Sequence, residues 1–159
     1  MPSTTLVQFA AAAVVSYLGL LVGFVLASLT KEELPTGRKY FPLLQRTIIL
    51  VIAAVAFDFF NVSLVLRIIS YALLLLLLML SLNLRLLYAV LGAILFAASK
   101  DQNALLIIAS LVFLFGIVTG SAYFNPNVRK KAIAAVARGM LVTNLAYVIV
   151  ALVLFLAAA

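Results

Sequence analysis

Apolar stretches long enough to cross a membrane fill almost the whole chain. The first of them, from Leu6 to Leu29, is interrupted only by Ser, Tyr, Gly and one Gln. A helix of this length rises about 36 Å, enough to cross a hydrocarbon core of about 30 Å. The chain of 159 residues is 68% hydrophobic and only 9% charged, whereas soluble domains are about 25% charged. The sequence therefore predicts an all-α integral membrane protein with a single transmembrane domain, residues 1–159.

Short polar segments divide the chain into spans. Residues 30–42 collect five charges, two prolines and a glycine, and residues 100–103 and 125–131 are also polar. Residues 61–99 carry only Arg67 and Arg85 as charges. This stretch is too long for one span, so a turn is expected at residues 81–83. The predicted helices are approximately 6–29, 43–60, 62–80, 84–98, 104–123 and 132–156.

The distribution of Lys and Arg favours six helices. With six spans, one face of the membrane receives nine basic residues and the other face receives Arg67 and Lys100. Cytoplasmic loops carry the Lys/Arg excess, and a single span over residues 61–99 would nearly cancel the bias. We therefore expect three helical hairpins in the plasma membrane, with the N- and C-termini on the non-cytoplasmic side. The nine residues are Lys31, Arg38, Lys39, Arg46, Arg85, Arg129, Lys130, Lys131 and Arg138.

Two of the predicted hairpins resemble each other. The segment Arg38 to Arg46 aligns without gaps on Lys130 to Arg138, with basic residues at matching offsets. One explanation is a parallel hairpin repeat in which helices 3 and 4 form the middle copy. The other is that each cytoplasmic turn acquired Lys and Arg independently.

Glycines recur at four-residue spacing in the helices that precede the two basic loops. This spacing lets helix backbones approach closely in lipid. The sequence therefore predicts helix packing at Gly19, Gly23, Gly116 and Gly120.

Few polar side chains fall within the predicted spans. Asp58 is the carboxylate that an apolar segment can enclose, which makes it a candidate for a proton- or cation-coupled site. The alternative is an interfacial Asp58 that is solvated or paired with Arg67. Asn144 interrupts the last span. The candidate intramembrane polar residues are thus Asp58, Arg67 and Asn144.

The tyrosines divide into two predicted groups. Tyr40, Tyr88 and Tyr123 fall near the expected cytoplasmic boundary, where an amphipathic ring keeps its hydroxyl wet. Tyr17 and Tyr147 fall nearer the middle of the membrane, where a hydroxyl needs a partner. The candidates for that partner are a backbone carbonyl, Ser16, Thr143 and Asn144.

The side chains that most often carry chemistry are scarce. The chain has no Cys, His or Trp and only four Asp and Glu residues. We therefore predict no enzymatic activity, no cofactor and no metal, since an enzyme acting on lipid needs acid, base or metal ligands that this chain scarcely supplies. In so apolar a chain, a net charge of +7 indicates membrane orientation rather than nucleic-acid binding.

Two functions fit this pattern. The first is a non-enzymatic structural or interaction subunit of a membrane assembly or homo-oligomer. The second is a small-solute or ion conduit formed by an oligomer, which requires polar side chains around one cavity. The expected partners are membrane lipids, especially anionic ones, with copies of this chain or other membrane subunits. The predicted anionic-lipid contacts are Arg38, Lys39, Arg46, Arg129, Lys130, Lys131 and Arg138.

Overall fold

The described part of the chain is all-helical. The computed structural model describes residues 4–30, 32, 37–79, 84–125 and 130–158, and these ranges contain helices and no strand. A short 3-10 turn, Arg38–Tyr40, leads directly into the second helix. The helices are α1 (Leu6–Leu29), α2 (Phe41–Phe59), α3 (Leu64–Met79), α4 (Leu84–Ala98), α5 (Gln102–Tyr123), α6 (Lys130–Asn144) and α7 (Ala146–Ala158).

Within the part of the chain that the structure describes, four helical segments are long and apolar enough to cross a membrane. They are Leu6–Leu29, Arg38–Phe59, Gln102–Tyr123 and Ile133–Ala158, the last combining most of α6 with α7. The other two, α3 and α4, have 16 and 15 residues. At 1.5 Å per residue they rise about 24 Å and 22 Å, less than a hydrocarbon core of about 30 Å.

Side-chain caps fix where α1 and α5 begin. The Thr5 hydroxyl accepts the Gln8 amide at 3.3 Å, and the Gln8 side chain accepts the Thr5 amide at 3.1 Å. This reciprocal pair satisfies two amides that lack helical partners. At the start of α5, Asp101 accepts the Ala104 amide at 2.8 Å. Both caps lie directly before an apolar run, so both helices start where that run starts.

The centre of the bundle is a parallel pair, α1 and α5. Gly19 lies against Phe113, and Gly23 lies against Ile117, so both helices advance in the same direction. α7 runs antiparallel to α1, because the Phe9 ring stacks on Phe155 at 4.4 Å and the Tyr17 ring on Tyr147 at 6.3 Å.

The outer helices pack around this pair. α4 packs mainly on α7, α2 packs on α5, and α3 has α2 as its main helical neighbour. The Thr4 hydroxyl donates to the Ser99 carbonyl at 3.2 Å, which brings the end of α4 beside the start of α1. We call the end that holds Thr4, Phe9, Ser99 and Phe155 the terminal end, and the opposite one the basic end.

The last predicted helix, 132–156, is divided in two. Leu145 separates α6 from α7, and its amide donates to the Val142 carbonyl, three residues back, at 3.4 Å. Helical hydrogen bonding resumes where the Ile149 amide donates to the Leu145 carbonyl. The polar residue at this break is Asn144, which is fully buried.

Candidate functional site

The two glycine pairs lie at the closest approach of α1 and α5. A Cβ atom added at Gly19 or Gly23 would collide with the carbonyl of Phe113 or Ile117. Across the contact, a Cβ at Gly116 would lie 2.9 Å from the Leu20 amide nitrogen, and one at Gly120 would collide with the Leu20 carbonyl. Glycine is needed at these positions because backbone occupies the space of a side chain.

A second close approach, which the sequence did not predict, joins α4 to α7. A Cβ at Gly92 would collide with the Tyr147 carbonyl and lie 3.3 Å from the Ala151 amide nitrogen. The available signal was one isolated glycine inside an apolar run, a weak indication of close packing.

Polar side chains form a layer inside the bundle. We call this set the polar layer; it contains Ser16, Tyr17, Gln45, Tyr88, Thr119, Asn144 and Tyr147. The Ser16 and Tyr147 hydroxyls lie 2.7 Å apart, and the Tyr17 hydroxyl donates to the Leu141 carbonyl. Tyr17 and Tyr147 thus have partners of the expected kinds, a serine hydroxyl and a backbone carbonyl.

The predicted position of Tyr88 at the membrane boundary is wrong. Only 1% of this residue is exposed. Tyr88 lies one turn inside α4, and its ring packs against Phe115 at 5.5 Å and Tyr147 at 6.3 Å. Its hydroxyl faces Thr119 without a hydrogen bond of normal geometry among the described residues. The direction in which a side chain points is not encoded in a helix that is apolar on every face.

Gln45 and Thr119 connect α2 to α5 within the polar layer. The Gln45 amide nitrogen donates to the Thr119 hydroxyl at 3.1 Å, and Thr119 is fully buried. Neither residue was predicted from the sequence. Their separation of 74 positions leaves no local pattern that could have paired them.

In the Asn144 side chain, the amide nitrogen is hydrogen-bonded and the amide oxygen is not, among the described residues. Its nitrogen donates to the Met140 carbonyl at 2.8 Å. Its oxygen is buried and has no hydrogen-bond partner among the described residues. The helix break therefore has one unused acceptor beside it.

Asp58 and Arg67 form an ion pair at the turn between α2 and α3. Arg67 also donates to the Val62 carbonyl at 2.7 Å and the Phe57 carbonyl at 3.2 Å. Asn61, in the same turn, has a φ of 49°, a left-handed conformation that Asn tolerates. The Asp58 side chain is 70% exposed, so the described residues do not enclose this carboxylate.

The predicted lipid-contacting residues gather toward the basic end where they are described. Arg38, Lys39, Arg46 and Arg138 are exposed, and the Lys39 ammonium lies 4.9 Å from the centre of the Tyr40 ring. Lys31 and Arg129 lie outside the described residues. Lys130 and Lys131 begin α6, but their side chains, like that of Arg85, are outside the described part of the chain.

The described residues contain no cluster of three His, Cys, Asp or Glu side chains arranged to hold a metal ion. The buried polar groups are hydroxyls and amides. Such groups can hydrogen-bond to one another or to a small polar solute.

Comparison with protein families, curated proteins and solved structures finds no match to this chain.

Proposed function

We propose that this chain is a six-span membrane protein that works as a non-enzymatic structural or interaction subunit, in a homo-oligomer or with other membrane proteins. α3 carries the proposal. Among the described residues its main helical neighbour is α2, and apolar side chains on its other faces are exposed: Leu64, Val65 and Ile68 are 72%, 65% and 61% exposed. A helix whose apolar faces the described part of its own chain leaves uncovered is well suited to receive a helix from another chain.

The six-span arrangement is supported by the positions of the helix ends. The start of α1 and the end of α7 lie together at the terminal end. The end of α4 also lies there, beside Thr4. A chain that crosses the membrane six times, as three hairpins, places these three helix ends on the same side. The short helices α3 and α4 then form the middle hairpin.

A parallel hairpin repeat is supported by symmetry in the α1–α5 contact. Gly23 meets the carbonyl of Ile117, and Gly120 meets the carbonyl of Leu20. The same sequence offset, 97, relates Gly23 to Gly120 and Leu20 to Ile117. The basic segments align at an offset of 92, so a repeat requires the second loop to be five residues shorter than the first.

Orientation and lipid partners follow from charge. We propose that the basic end faces the cytoplasm in the plasma membrane, with both chain termini on the other side. Exposed Arg38, Lys39, Arg46 and Arg138 then lie where anionic headgroups are available.

The experiment that tests the interaction role is photocrosslinking in native membranes. A photoreactive side chain at Ile68, on α3, is compared with one at Val153, which is equally exposed on α7. We expect a discrete protein adduct from position 68 and lipid adducts from position 153. Lipid adducts at both positions, with a monomeric mass, would contradict the proposal.

The conduit remains the second candidate because of the break between α6 and α7. Interrupted helices with free polar groups often form solute sites in transporters, and the Asn144 oxygen is such a group. Against this, the Ser16 and Tyr147 hydroxyls bond to each other and the Tyr17 hydroxyl bonds to backbone. The Thr119 hydroxyl accepts the Gln45 side-chain amide. Flux across proteoliposomes that is abolished by Asn144→Leu would favour the conduit.

A further inference from the structure

A groove opens between α1 and α5, on the terminal-end side of their glycine contact. Its volume is about 660 Å³, within the range of about 300–1,000 Å³ found for ligand sites. Thr4, Gln8 and Gln102 stand at its mouth, and Phe113 and Leu114 stand at its deep end.

The groove is held open by packing. Small residues, Ala12 and Ala109, line it where larger side chains would fill the space. Just beyond its deep end, Gly19 already touches the backbone of Phe113. The two helices therefore have no room to move closer and close the groove.

The lining favours an apolar ligand with a polar head. Leu105, Leu106 and Val15 are apolar, and the Ser110 hydroxyl is satisfied by the Leu106 carbonyl of its own helix at 2.8 Å. Ser16 likewise donates to the Ala12 carbonyl at 2.7 Å. The remaining polar side chains are at the mouth, so the deep part offers nothing to a polar solute.

The length of the groove distinguishes a lipid chain from a second protein helix. From Gln102 to Leu114 it extends about 18 Å along α5, close to one leaflet of a core about 30 Å thick. A membrane-crossing helix from another copy would need a continuous groove. This one ends where the glycines bring the two backbones together.

The mouth of the groove fits a polar headgroup. Gln8 and Gln102 line it, and their side-chain amides can donate hydrogen bonds to the ester and phosphate oxygens of a lipid.

We propose that the groove binds one acyl chain of a phospholipid from the leaflet at the terminal end, with the polar head at the mouth beside Gln8 and Gln102. This site lies at the opposite end of the bundle from the predicted cytoplasmic basic residues. It is separate from the interaction role of α3.

The absence of Trp from the chain makes the test direct. Phe113→Trp places one fluorophore in the groove, and Ile149→Trp places one on the exposed surface of α7. Each variant is reconstituted with phospholipid brominated along its acyl chains, then diluted into unbrominated lipid. Because bromine quenches Trp on contact, we expect full recovery at position 149 and retained quenching at position 113.

Two further variants identify the site. Ala109→Leu, which fills the groove, should abolish the retained quenching, whereas Ala135→Leu on the exposed face of α6 should leave it unchanged.

Three outcomes would overturn the acyl-chain site. They are equal recovery in both Trp variants, retained quenching in Ala109→Leu, and an unquenched Phe113→Trp in a chain that native mass spectrometry finds dimeric. The last would mean that a second copy covers the groove.

Discussion

The hydroxyls of Ser16 and Tyr147 lie 2.7 Å apart and join α1 to α7 inside the bundle. The Tyr147 ring also stacks beside Tyr17 and meets the edge of Tyr88. The backbone of the same residue touches Gly92. Tyr147 is therefore the residue through which α1, α4 and α7 are held in one arrangement.

Removing the Tyr147 hydroxyl should destabilise the bundle modestly. Interhelical hydrogen bonds in membranes contribute about 0.6 kcal/mol on average and about 1.7 kcal/mol at most. We expect Tyr147→Phe and Ser16→Ala each to lower the free energy of unfolding within that range, measured in detergent. The double variant should cost less than the sum of the two, because both remove the same bond. Strict additivity would contradict the pairing.

The glycine contact predicts a larger effect. Gly23→Leu and Gly120→Leu force side chains into backbone, and overpacking costs about 1–3 kcal/mol or more. We expect both variants to lose thermal stability in detergent. Gly139→Leu is the matched control, because a Cβ at Gly139 meets nothing within 4 Å. Equal stability of all three variants would mean that the close approach of α1 and α5 does not hold the fold.

The positions of the helices could be predicted from the sequence because the lengths of the apolar stretches and the polar turns fix them. α2 begins at Phe41, two residues before the predicted start, and α3 begins at Leu64, two residues after it. The helix face that packs against a neighbour could be predicted where a glycine pattern marks one face, as at Gly19 and Gly23. In α4, every face is apolar, so nothing in the pattern indicated that Tyr88 points inward.

The break at Leu145 could not be predicted from the sequence, for a different reason. The Asn144 amide donates to the Met140 carbonyl of its own helix, a local bond that competes with regular helical hydrogen bonding. The Leu141 carbonyl beside the break accepts the Tyr17 hydroxyl from α1. A residue that is distant in sequence thus stabilises the interruption, and residues 132–156 alone do not reveal it.

The turn between α2 and α3 should depend more on Arg67 than on Asp58. Asp58 is 70% exposed in its ion pair, and exposed pairs contribute at most about 1 kcal/mol. Arg67 also donates to two backbone carbonyls, those of Val62 and Phe57. We expect Arg67→Met to lower thermal stability more than Asp58→Asn.

The same two variants also test the alternative that Asp58 is a proton-coupled site. If it were, Asp58→Asn would reduce transport more than Arg67→Met does, and its thermal stability would be unchanged. A smaller stability loss in Arg67→Met than in Asp58→Asn would contradict the proposed role of Arg67 in the turn.

The six-span topology predicts that the C-terminus is outside the cytoplasm. A reporter active only in the cytoplasm, fused after Ala159, should give no signal, because the basic residues are gathered at the opposite end. The same reporter inserted between Pro126 and Asn127, in the predicted cytoplasmic loop, is the positive control. Strong signal from the C-terminal fusion would overturn the orientation.

The two basic loops should not contribute equally to lipid association. Each Lys or Arg near an anionic leaflet contributes about 1 kcal/mol, and salt screens charges beyond about 8 Å. Glu32 and Glu33 lie in the first loop and offset part of its attraction, whereas the second loop has no acidic residue between Asn125 and Lys131. Replacing Arg129, Lys130 and Lys131 by Gln should therefore weaken anionic-lipid association more than replacing Lys31, Arg38 and Lys39.

Native mass spectrometry with added anionic lipid measures this difference between the loops. Accessibility of a single cysteine at Asn127, introduced into this cysteine-free chain, reports whether the last hairpin has inverted. Weaker lipid retention with unchanged accessibility would mean that Arg129, Lys130 and Lys131 bind lipid. Changed accessibility would mean that they set the orientation of the hairpin, because Lys and Arg hold a loop in the cytoplasm. Equal retention and unchanged accessibility in the second-loop variant would contradict the lipid assignment and leave a protein partner as the remaining role for these charges.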